Sequence, residues 1–170
     1  SGRLREPLAA SRFADAVVLS GAAPPSGRDL AEALAPFGFT GPGFAAETVP
    51  GTAHFESGEP LEPPAPVVAV SGLARNAAFH DLARTVGFEL VATLELGDHH
   101  PYPPATLRRI RELWSRHPAS AVLTTAKDRV KLAGRLDLPL ATLPISTRLE
   151  PGFWQWLGSG LSVADSADRR

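Results

Sequence analysis

Residues 88–102 have the sequence FELVATLELGDHHPY, in which a mostly apolar run leads directly into a short polar turn. The run over residues 88–96 predicts a strand, because it is short, largely apolar and closed by a glycine. An amphipathic helix follows, beginning near Pro103. A strand that passes through a polar turn into a helix is typical of α/β proteins. In an open α/β sheet such turns are where ligands bind.

The same alternation of strand and helix continues on both sides of this stretch. Asn76 is predicted to cap a helix with Phe79, Leu82, Ala83 and Val86 on one face. Further strands are predicted at residues 15–20, 67–70, 121–124 and 140–145, and further helices at residues 28–35, 106–116, 125–133 and 151–157. We therefore predict a three-layer α/β fold, with a mostly parallel sheet and helices on both faces.

Composition suggests how the chain is divided. Residues 39–66 are rich in Gly, Pro and Glu, which predicts a hinge or connector, either as a linker or as a pair of irregular edge strands. Residues 67–159 are then a C-terminal α/β domain, residues 1–38 belong to a preceding domain, and residues 160–170 form a frayed tail. Because the chain starts at Ser1 and contains no methionine, we expect it to be a piece of a longer protein.

Overall composition excludes several classes of protein. The 170 residues carry a net charge of −1, so nothing global indicates a nucleic-acid partner. The absence of cysteine excludes disulfides and thiolate metal sites. No apolar run approaches the roughly 20 residues that span a bilayer.

The polar turn at residues 98–102 (DHHPY) brings together groups suited to proton transfer or metal binding. A neutral imidazole can accept a proton or bind a metal, and a neighbouring carboxylate can fix its tautomer. The alternative is a plain loop, in which Asp98 caps a turn and the histidines are merely exposed. Tyr102 either orients an imidazole or packs on the following helix.

A second polar turn lies at residues 124–128 (TTAKD). Thr125 and Asp128 have the spacing of a capping box, a structural role. Lys127 opposes the helix dipole at a cost of a few tenths of a kcal/mol, so it is either offset by Asp128 or directed at an anionic partner. Together with residues 70–72 and 98–100, this turn makes three polar strand ends at one predicted edge, which indicates a surface facing a ligand.

Other motifs are ambiguous or missing. The arginines of the helix at residues 106–116 form either a solvated face or a surface for phosphate or anionic lipid headgroups; they are Arg108, Arg109, Arg111 and Arg116. The chain contains no Gly-x-x-x-x-Gly-Lys-[Ser/Thr] phosphate loop, no Gly-x-Ser-x-Gly elbow and no His-Glu-x-x-His zinc helix.

An ordered set of short motifs resembles the C-terminal half of tetraacyldisaccharide 4'-kinase, the lipid A kinase of Gram-negative bacteria. The motifs are GRLREPL (residues 2–8), RFADAVV (12–18), VSGLAR (70–75), DHHPY (98–102) and TTAKDRVKL (124–132). They cover most of residues 2–143 in family order. Ala126 departs from the family pattern, standing where its Thr-Glu-Lys-Asp motif has Glu, which puts any role of that Glu in doubt. Asn76 replaces a common Pro, and Ala105 replaces a common acidic residue.

The resemblance implies a fold and a reaction. The fold would be the C-terminal portion of a P-loop NTPase-like kinase, with residues 1–38 as the end of its N-terminal kinase domain. ATP and Mg²⁺ would bind upstream, on a half that carries the Walker A loop and an acidic motif, so no cofactor or metal site is expected in this chain. The 4'-hydroxyl of a lipid A disaccharide 1-phosphate would attack the γ-phosphate. This chain by itself would be inactive, and the whole enzyme would lie peripherally on the cytoplasmic face of the inner membrane.

The resemblance also implies roles for particular residues. His99 would tune or relay protons for a catalytic Asp of the upstream half, and Asp98 would orient His99. Arg5 and Glu6 would lie near the hinge and the substrate. The remaining substrate-binding candidates are His100, Tyr102 and Lys127.

Two other functions remain open on the sequence. Asp-His-His also marks a superfamily of metal-dependent phosphoesterases, which need further Asp and His ligands that this chain does not offer in a matching context; neither His54 nor His80 has one. A non-catalytic α/β binding module, whose loops serve only a partner, is the third hypothesis.

Overall fold

The computed structural model describes residues 5–21 and 26–167, without the side chains of residues 161–167. The chain forms two compact units, one made of Ser1–Val49 and Thr147–Arg170, the other of Pro50–Ser146. We call them the split unit and the continuous unit. No helix among the described residues is both long and apolar enough to cross a bilayer.

The split unit is built on a three-stranded sheet with the order β1-β2-β8. Its strands are β1 (Val17–Gly21), β2 (Gly43–Pro50) and β8 (Ile145–Leu149), with β1 and β2 parallel. Helix α1 (Gly27–Leu34) connects β1 to β2, and Ser26 caps it by accepting a hydrogen bond from the Asp29 N–H. Helix α5 (Pro151–Ala167) follows β8, and its Phe153 packs edge-on against Phe44 of β2.

The continuous unit is an open α/β sheet with the order β3-β7-β6-β4-β5. Its strands are β3 (His54–Phe55), β4 (Pro66–Gly72), β5 (Glu89–Leu96), β6 (Ala121–Thr124) and β7 (Leu140–Thr142). Its helices are α2 (Asn76–Val86), α3 (Pro104–Arg116) and α4 (Ala126–Leu132). All pairings are parallel except that of the two-residue edge strand β3 with β7.

Successive residues of β4 enter two different cores, as the two-residue period of a strand requires. Val67 and Ala69 pack with Phe79 of α2 on one face of the sheet. Val68 and Val70 pack with residues of α3 and α4 on the other face, including Ile110. This arrangement confirms the predicted α/β fold with a mostly parallel sheet and helices on both faces.

The connector predicted at residues 39–66 has a more regular structure than the sequence indicated. Its first half contains β2, which lies between two other strands and is therefore not an edge strand. Its second half contains β3, which is an edge strand. The predicted tail at residues 160–170 continues α5 as far as Ala167, and residues 168–170 lie outside the described residues.

Two local predictions were wrong. The strand predicted at residues 140–145 is divided into β7 and β8, which belong to different sheets, and Pro144 between them has no N–H for a ladder. Asn76 does not cap α2, because its side-chain oxygen accepts instead from the Leu73 N–H, at 3.0 Å, in the preceding loop.

Candidate functional site

The candidate site lies in the continuous unit, where the connections of two neighbouring strands diverge. The connection after β4 leads to α2 on one face of the sheet, and the connection after β6 leads to α4 on the other face. Such a divergence opens a crevice at the carboxyl ends of the strands, where open α/β sheets bind ligands. The loop after β5, residues 97–103, lies at the same edge, so the three predicted polar strand ends do come together.

Asp98 and Lys127 join two of these strand ends. The Lys127 ammonium donates a hydrogen bond to Asp98 Oδ1, linking the loop after β5 to the first turn of α4. This hydrogen bond is the main reason that the pKa of Asp98 is lowered. Lys127 is therefore partnered by Asp98 rather than by Asp128. Its charge in the first turn of α4 anchors the Asp98 carboxylate of the loop after β5.

His99 is presented to solvent beside this pair. Its side chain is 82% exposed, and its Nε2 lies 3.7 Å from Asp98 Oδ2. The His99 backbone is in the left-handed region, with φ of 60°, and its N–H donates to Asp98 Oδ1 at 3.0 Å. An exposed imidazole beside an anchored carboxylate can exchange a proton with a molecule arriving from outside.

His100 and Tyr102 point inward instead. His100 Nε2 lies 2.9 Å from the Thr106 hydroxyl, and its ring meets the Tyr102 ring edge-on. Tyr102 is fully buried, and its backbone is also left-handed, with φ of 53°. A bulky residue in that conformation costs on the order of 1–3 kcal/mol, so the surrounding contacts must hold it. Tyr102 thus packs with Leu107 and Ile110 of the following helix and also contacts the His100 imidazole.

Cations of α4 and the loop after it hold the backbone of this turn. Lys131 donates to the His100 carbonyl at 3.0 Å, and Arg135 donates to the Tyr102 carbonyl at 2.8 Å. The Lys131 ammonium also lies 5.8 Å from the centre of the Tyr102 ring. The positive φ values are therefore maintained from α4, since charge-assisted hydrogen bonds are the stronger kind.

Asp128 occupies the crevice between β4 and β6 and is fully buried. Its Oδ2 accepts from the Gly72 N–H at 2.8 Å and from the Thr125 hydroxyl at 2.9 Å. The Thr125 hydroxyl in turn accepts from the Asp128 N–H at 3.1 Å, which confirms the predicted helix cap. The long-range bond to Gly72 had no signal in the sequence, because it joins residues 56 positions apart.

Sequence reasoning also missed a second polar network beside β4. Ser71 Oγ donates to Asn76 Oδ1 at 2.7 Å and lies 3.5 Å from His80 Nε2. His80 Nδ1 lies 3.3 Å from Glu95 Oε1. Burial lowers the pKa of His80, and the Glu95 carboxylate opposes that shift. Because Ser71 and His80 are both buried, this network braces the end of β4 from within the core.

The remaining predicted site residues lie elsewhere. Arg5 and Glu6 are exposed residues of the split unit. On α3, Arg111 donates to the Arg135 carbonyl at 3.1 Å. Within the described part of the chain, Arg108, Arg109 and Arg116 have no ion-pair or hydrogen-bond partner, as expected of a solvated basic face.

No group of three His, Asp or Glu side chains converges on a point where a metal could bind, among the residues that the structure describes. The exposed hydrogen-bonding groups of the loop after β5 and the first turn of α4 include the Asp98 carboxylate, the His99 imidazole and the Lys127 ammonium. The fold and this site define an α/β protein of the open-sheet kind, with an exposed imidazole beside a carboxylate–ammonium pair at the carboxyl edge of its sheet.

Comparison with known proteins places the chain in a family. The family model described as tetraacyldisaccharide-1-P 4'-kinase matches residues 1–162, and the chain belongs to that family. The resemblance inferred from the short motifs is thereby confirmed.

Relatives named tetraacyldisaccharide 4'-kinase match different lengths of the chain. The Hyphomonas neptunium protein is 32% identical over 137 residues, covering 81% of this chain and 36% of that protein. The Bordetella parapertussis protein is 30% identical over 170 residues, covering 95% and 45%. The chain thus spans less than half the length of these relatives.

A solved structure has the same fold. A crystal structure of LpxK from Aquifex aeolicus in complex with ATP superposes with a TM-score of 0.54 at 26% identity. The match covers 88% of this chain and 43% of that one.

Proposed function

We propose that this chain is the part of a tetraacyldisaccharide 4'-kinase that presents Asp98 and His99 to the reaction centre. The reaction would transfer the γ-phosphate of ATP to the 4'-hydroxyl of a lipid A disaccharide 1-phosphate. The observation that carries the proposal is the exposed His99 imidazole beside a carboxylate that Lys127 holds in place. Family membership supports this choice of reaction.

In this proposal the side chains of the loop transfer a proton and orient the group that transfers it. His99 relays a proton for a catalytic carboxylate on another part of the enzyme, and Asp98 orients the imidazole. Phosphoryl transfer depends mainly on positioning and on neutralising charge, so an anchored Asp98–His99 pair suits it. Lys127 and the inward-facing His100 and Tyr102 support the substrate side of the loop. Arg5 and Glu6 are further candidates for contacting the substrate.

ATP would supply the phosphoryl group and Mg²⁺ would neutralise its charge. The described residues of this chain offer neither a phosphate loop nor a group of three potential metal ligands. Both are therefore expected on another part of the enzyme.

A hybrid enzyme tests the role of His99. The segment of the Bordetella parapertussis kinase that matches this chain is replaced by the chain, and transfer of labelled phosphate from ATP to the lipid is measured. We expect His99→Ala to lower turnover by a factor of about 10²–10⁴, the range for a lost proton-transfer group. His54→Ala is the matched control, since His54 is exposed on the edge strand β3. Unchanged turnover of the His99 variant would contradict the role.

We also propose that the enzyme works peripherally at the cytoplasmic face of the inner membrane. The support is the unpaired basic face of α3, carrying Arg108, Arg109 and Arg116, since basic helical faces attract anionic lipid. Sedimentation of the chain with phosphatidylglycerol vesicles, compared with phosphatidylcholine vesicles, measures that attraction. Replacing Arg108 and Arg109 by Gln should weaken sedimentation with the anionic vesicles, and equal binding to both vesicles would rule the proposal out.

A further inference from the structure

The loop after β5 has to be held in an unfavourable conformation. His99 and Tyr102 are both left-handed, with φ of 60° and 53°. Lys131 and Arg135 hold two backbone carbonyls of the loop, and the Tyr102 ring packs against His100 and lies near the Lys131 ammonium. None of these contacts involves the Tyr102 hydroxyl.

Two buried polar atoms in the crevice have no hydrogen-bond partner among the described residues. They are the Tyr102 hydroxyl and Asp128 Oδ1. A methyl group built on Gly72 would lie 3.4 Å from the first and 3.0 Å from the second, so both atoms approach the same side of Gly72. The Lys131 ammonium is 3.9 Å from Asp128 Oδ1, which is beyond hydrogen-bond distance.

Leaving both atoms without a hydrogen bond is unfavourable, because a buried donor or acceptor loses its hydrogen bonds to water and gains none in the protein. Each atom supplies what the other lacks, since a phenol donates and a carboxylate oxygen accepts. Burial, followed by the nearby Asp128 carboxylate, raises the pKa of Tyr102, which keeps the phenol protonated as a donor. Both atoms lie beside Gly72, and a hydrogen bond between them would satisfy both.

We propose that Asp128 is a positioning residue for the loop after β5, with its Oδ1, which is ion-paired to Lys131 but accepts no hydrogen bond in the structure, accepting one from the Tyr102 hydroxyl. Its other oxygen already holds Gly72 and Thr125. One buried carboxylate thus joins the ends of β4, β5 and β6. Lys127, the residue before Asp128, holds Asp98 from the same helical turn.

The consequence is that the first turn of α4 sets both the backbone and the carboxylate beside His99. Asp128 touches no reacting group itself, so it acts only through Tyr102 and the turn. The inference rests on the proposed function for its effect on catalysis, but not for its effect on the loop. A displacement of about 1 Å at a reacting group can cost roughly 10²-fold in rate.

The test uses Tyr102→Phe, which removes only the hydroxyl and keeps the ring packed on His100. In the full 170-residue chain we expect this variant to shift the backbone amide resonances of residues 98–100 in ¹⁵N-correlated NMR spectra. Asp128→Asn should shift the same resonances, and adding Tyr102→Phe to it should shift them little further, because the partner is already lost. Thr93→Ser, an exposed change on β5, is the control that should leave them in place.

In the hybrid enzyme, Tyr102→Phe should lower kcat about tenfold or more, in line with a misplaced reacting group, with the KM for ATP within about twofold of wild type. A merely structural role would lower the fraction of folded enzyme, which active-site titration measures separately. If Asp128→Asn does not fold, the resonances of residues 98–100 and the kcat of Tyr102→Phe are sufficient to test the positioning role.

The outcomes separate the two proposals. Unshifted resonances of residues 98–100 and unchanged kcat in Tyr102→Phe would overturn the positioning role, whatever His99→Ala does. Shifted resonances in Tyr102→Phe, with full activity in His99→Ala, would support the positioning role while rejecting the proposed function of His99.

Discussion

Lys127 is the residue in which local and distant demands conflict most clearly. At the start of a helix its charge is unfavourable, and the local sequence offers Asp128 as the obvious partner. The buried Asp128 carboxylate turns instead to Gly72 and Thr125, and Lys127 reaches Asp98 in another loop. The Lys127 charge is thus unfavourable for helix α4 but anchors the Asp98 carboxylate at the candidate site.

Replacing Lys127 by Met should raise the pKa of Asp98, because the hydrogen bond from Lys127 is the main cause that lowers it below its ordinary 3.8. The carboxyl ¹³C shift of Asp98, followed by NMR from pH 2 to 6, measures this pKa. Arg129→Met is the control, since Arg129 is an exposed cation of the same helix α4 and does not contact Asp98.

The same pair fixes the sign of a stability effect. The pKa of Asp98 is lower in the folded chain, so the pair stabilises the fold above pH 3.8 and loses that contribution as the pH falls through the folded value. The stability of wild type relative to Lys127→Met should therefore be greater at pH 7 than in strong acid. A constant difference across that range would exclude the assigned pairing.

His80 gives a pH dependence in a different window. Its pKa is lowered from 6.5, first by burial, so protonating it in the folded chain is unfavourable. Its contribution to stability is full above pH 6.5 and is lost as the pH falls from there through the folded value. Urea denaturation at pH 7.5 and pH 5.5 should show a smaller loss of stability in His80→Gln than in wild type.

Glu95→Gln supplies the opposing variant. The Glu95 carboxylate raises the pKa of His80 against the effect of burial, so removing its charge should lower that pKa further. The imidazole ¹H shifts report it directly. A higher pKa of His80 in Glu95→Gln would show that the network is assigned wrongly.

At the scale of elements, the first turn of α4 organises the candidate site. Its Thr125 cap was predictable, because a capping box is a local pattern of four residues. The partner of Asp128 was not, since hydrogen-bond partners far apart in sequence leave no spacing signal. The burial of His80 was missed for a related reason. The apolar residues of α2 predict which face of the helix is buried, but histidine is a polar residue type and does not contribute to that pattern.

Thr125→Ala should destabilise the chain by about 1–3 kcal/mol, because it removes a helix cap and one of the hydrogen bonds to the buried Asp128. Thr125→Ser keeps the hydroxyl and should retain most of the stability. Urea denaturation of both variants at pH 7 measures the difference. Equal losses in the two variants would assign the effect to the missing methyl group instead.

Gly72 is restricted by the crevice rather than by its own backbone. A methyl group there would lie 3.0 Å from Asp128 Oδ1 and 3.3 Å from the Gly97 carbonyl oxygen. Gly72→Ala should therefore destabilise the chain by about 1–3 kcal/mol, as overpacking of a core does. Gly97→Ala is the matched control, because a methyl group at Gly97 meets nothing within 4 Å and should be neutral or slightly stabilising.

At the scale of the whole molecule, the sequence pattern predicted the continuous unit better than the split one. The strands β4, β5 and β6 are apolar runs between clear helices, so periodicity finds them. Strand β2 is rich in Gly and Ala, and β8 has the alternating sequence ISTRL with mostly exposed residues. Neither strand has the run of large apolar residues that is typical of a core strand. The sheet that contains them also joins residues from both ends of the chain.

This difference predicts how the chain behaves when it is divided. Residues 50–146 are contiguous and contain both cores on β4 together with the whole Asp98–Asp128 site, whereas the split unit needs segments from both ends of the chain. A protein of residues 50–146 alone should unfold cooperatively in urea, and its amide resonances for residues 98–100 should match those of the full chain. A comparable piece, residues 1–49 alone, lacks β8 and α5 and should show no cooperative transition, because its β2 loses the strand and the aromatic side chains that cover it. Cooperative unfolding of residues 1–49 with no transition in residues 50–146 would reverse the assignment of which unit holds its own core.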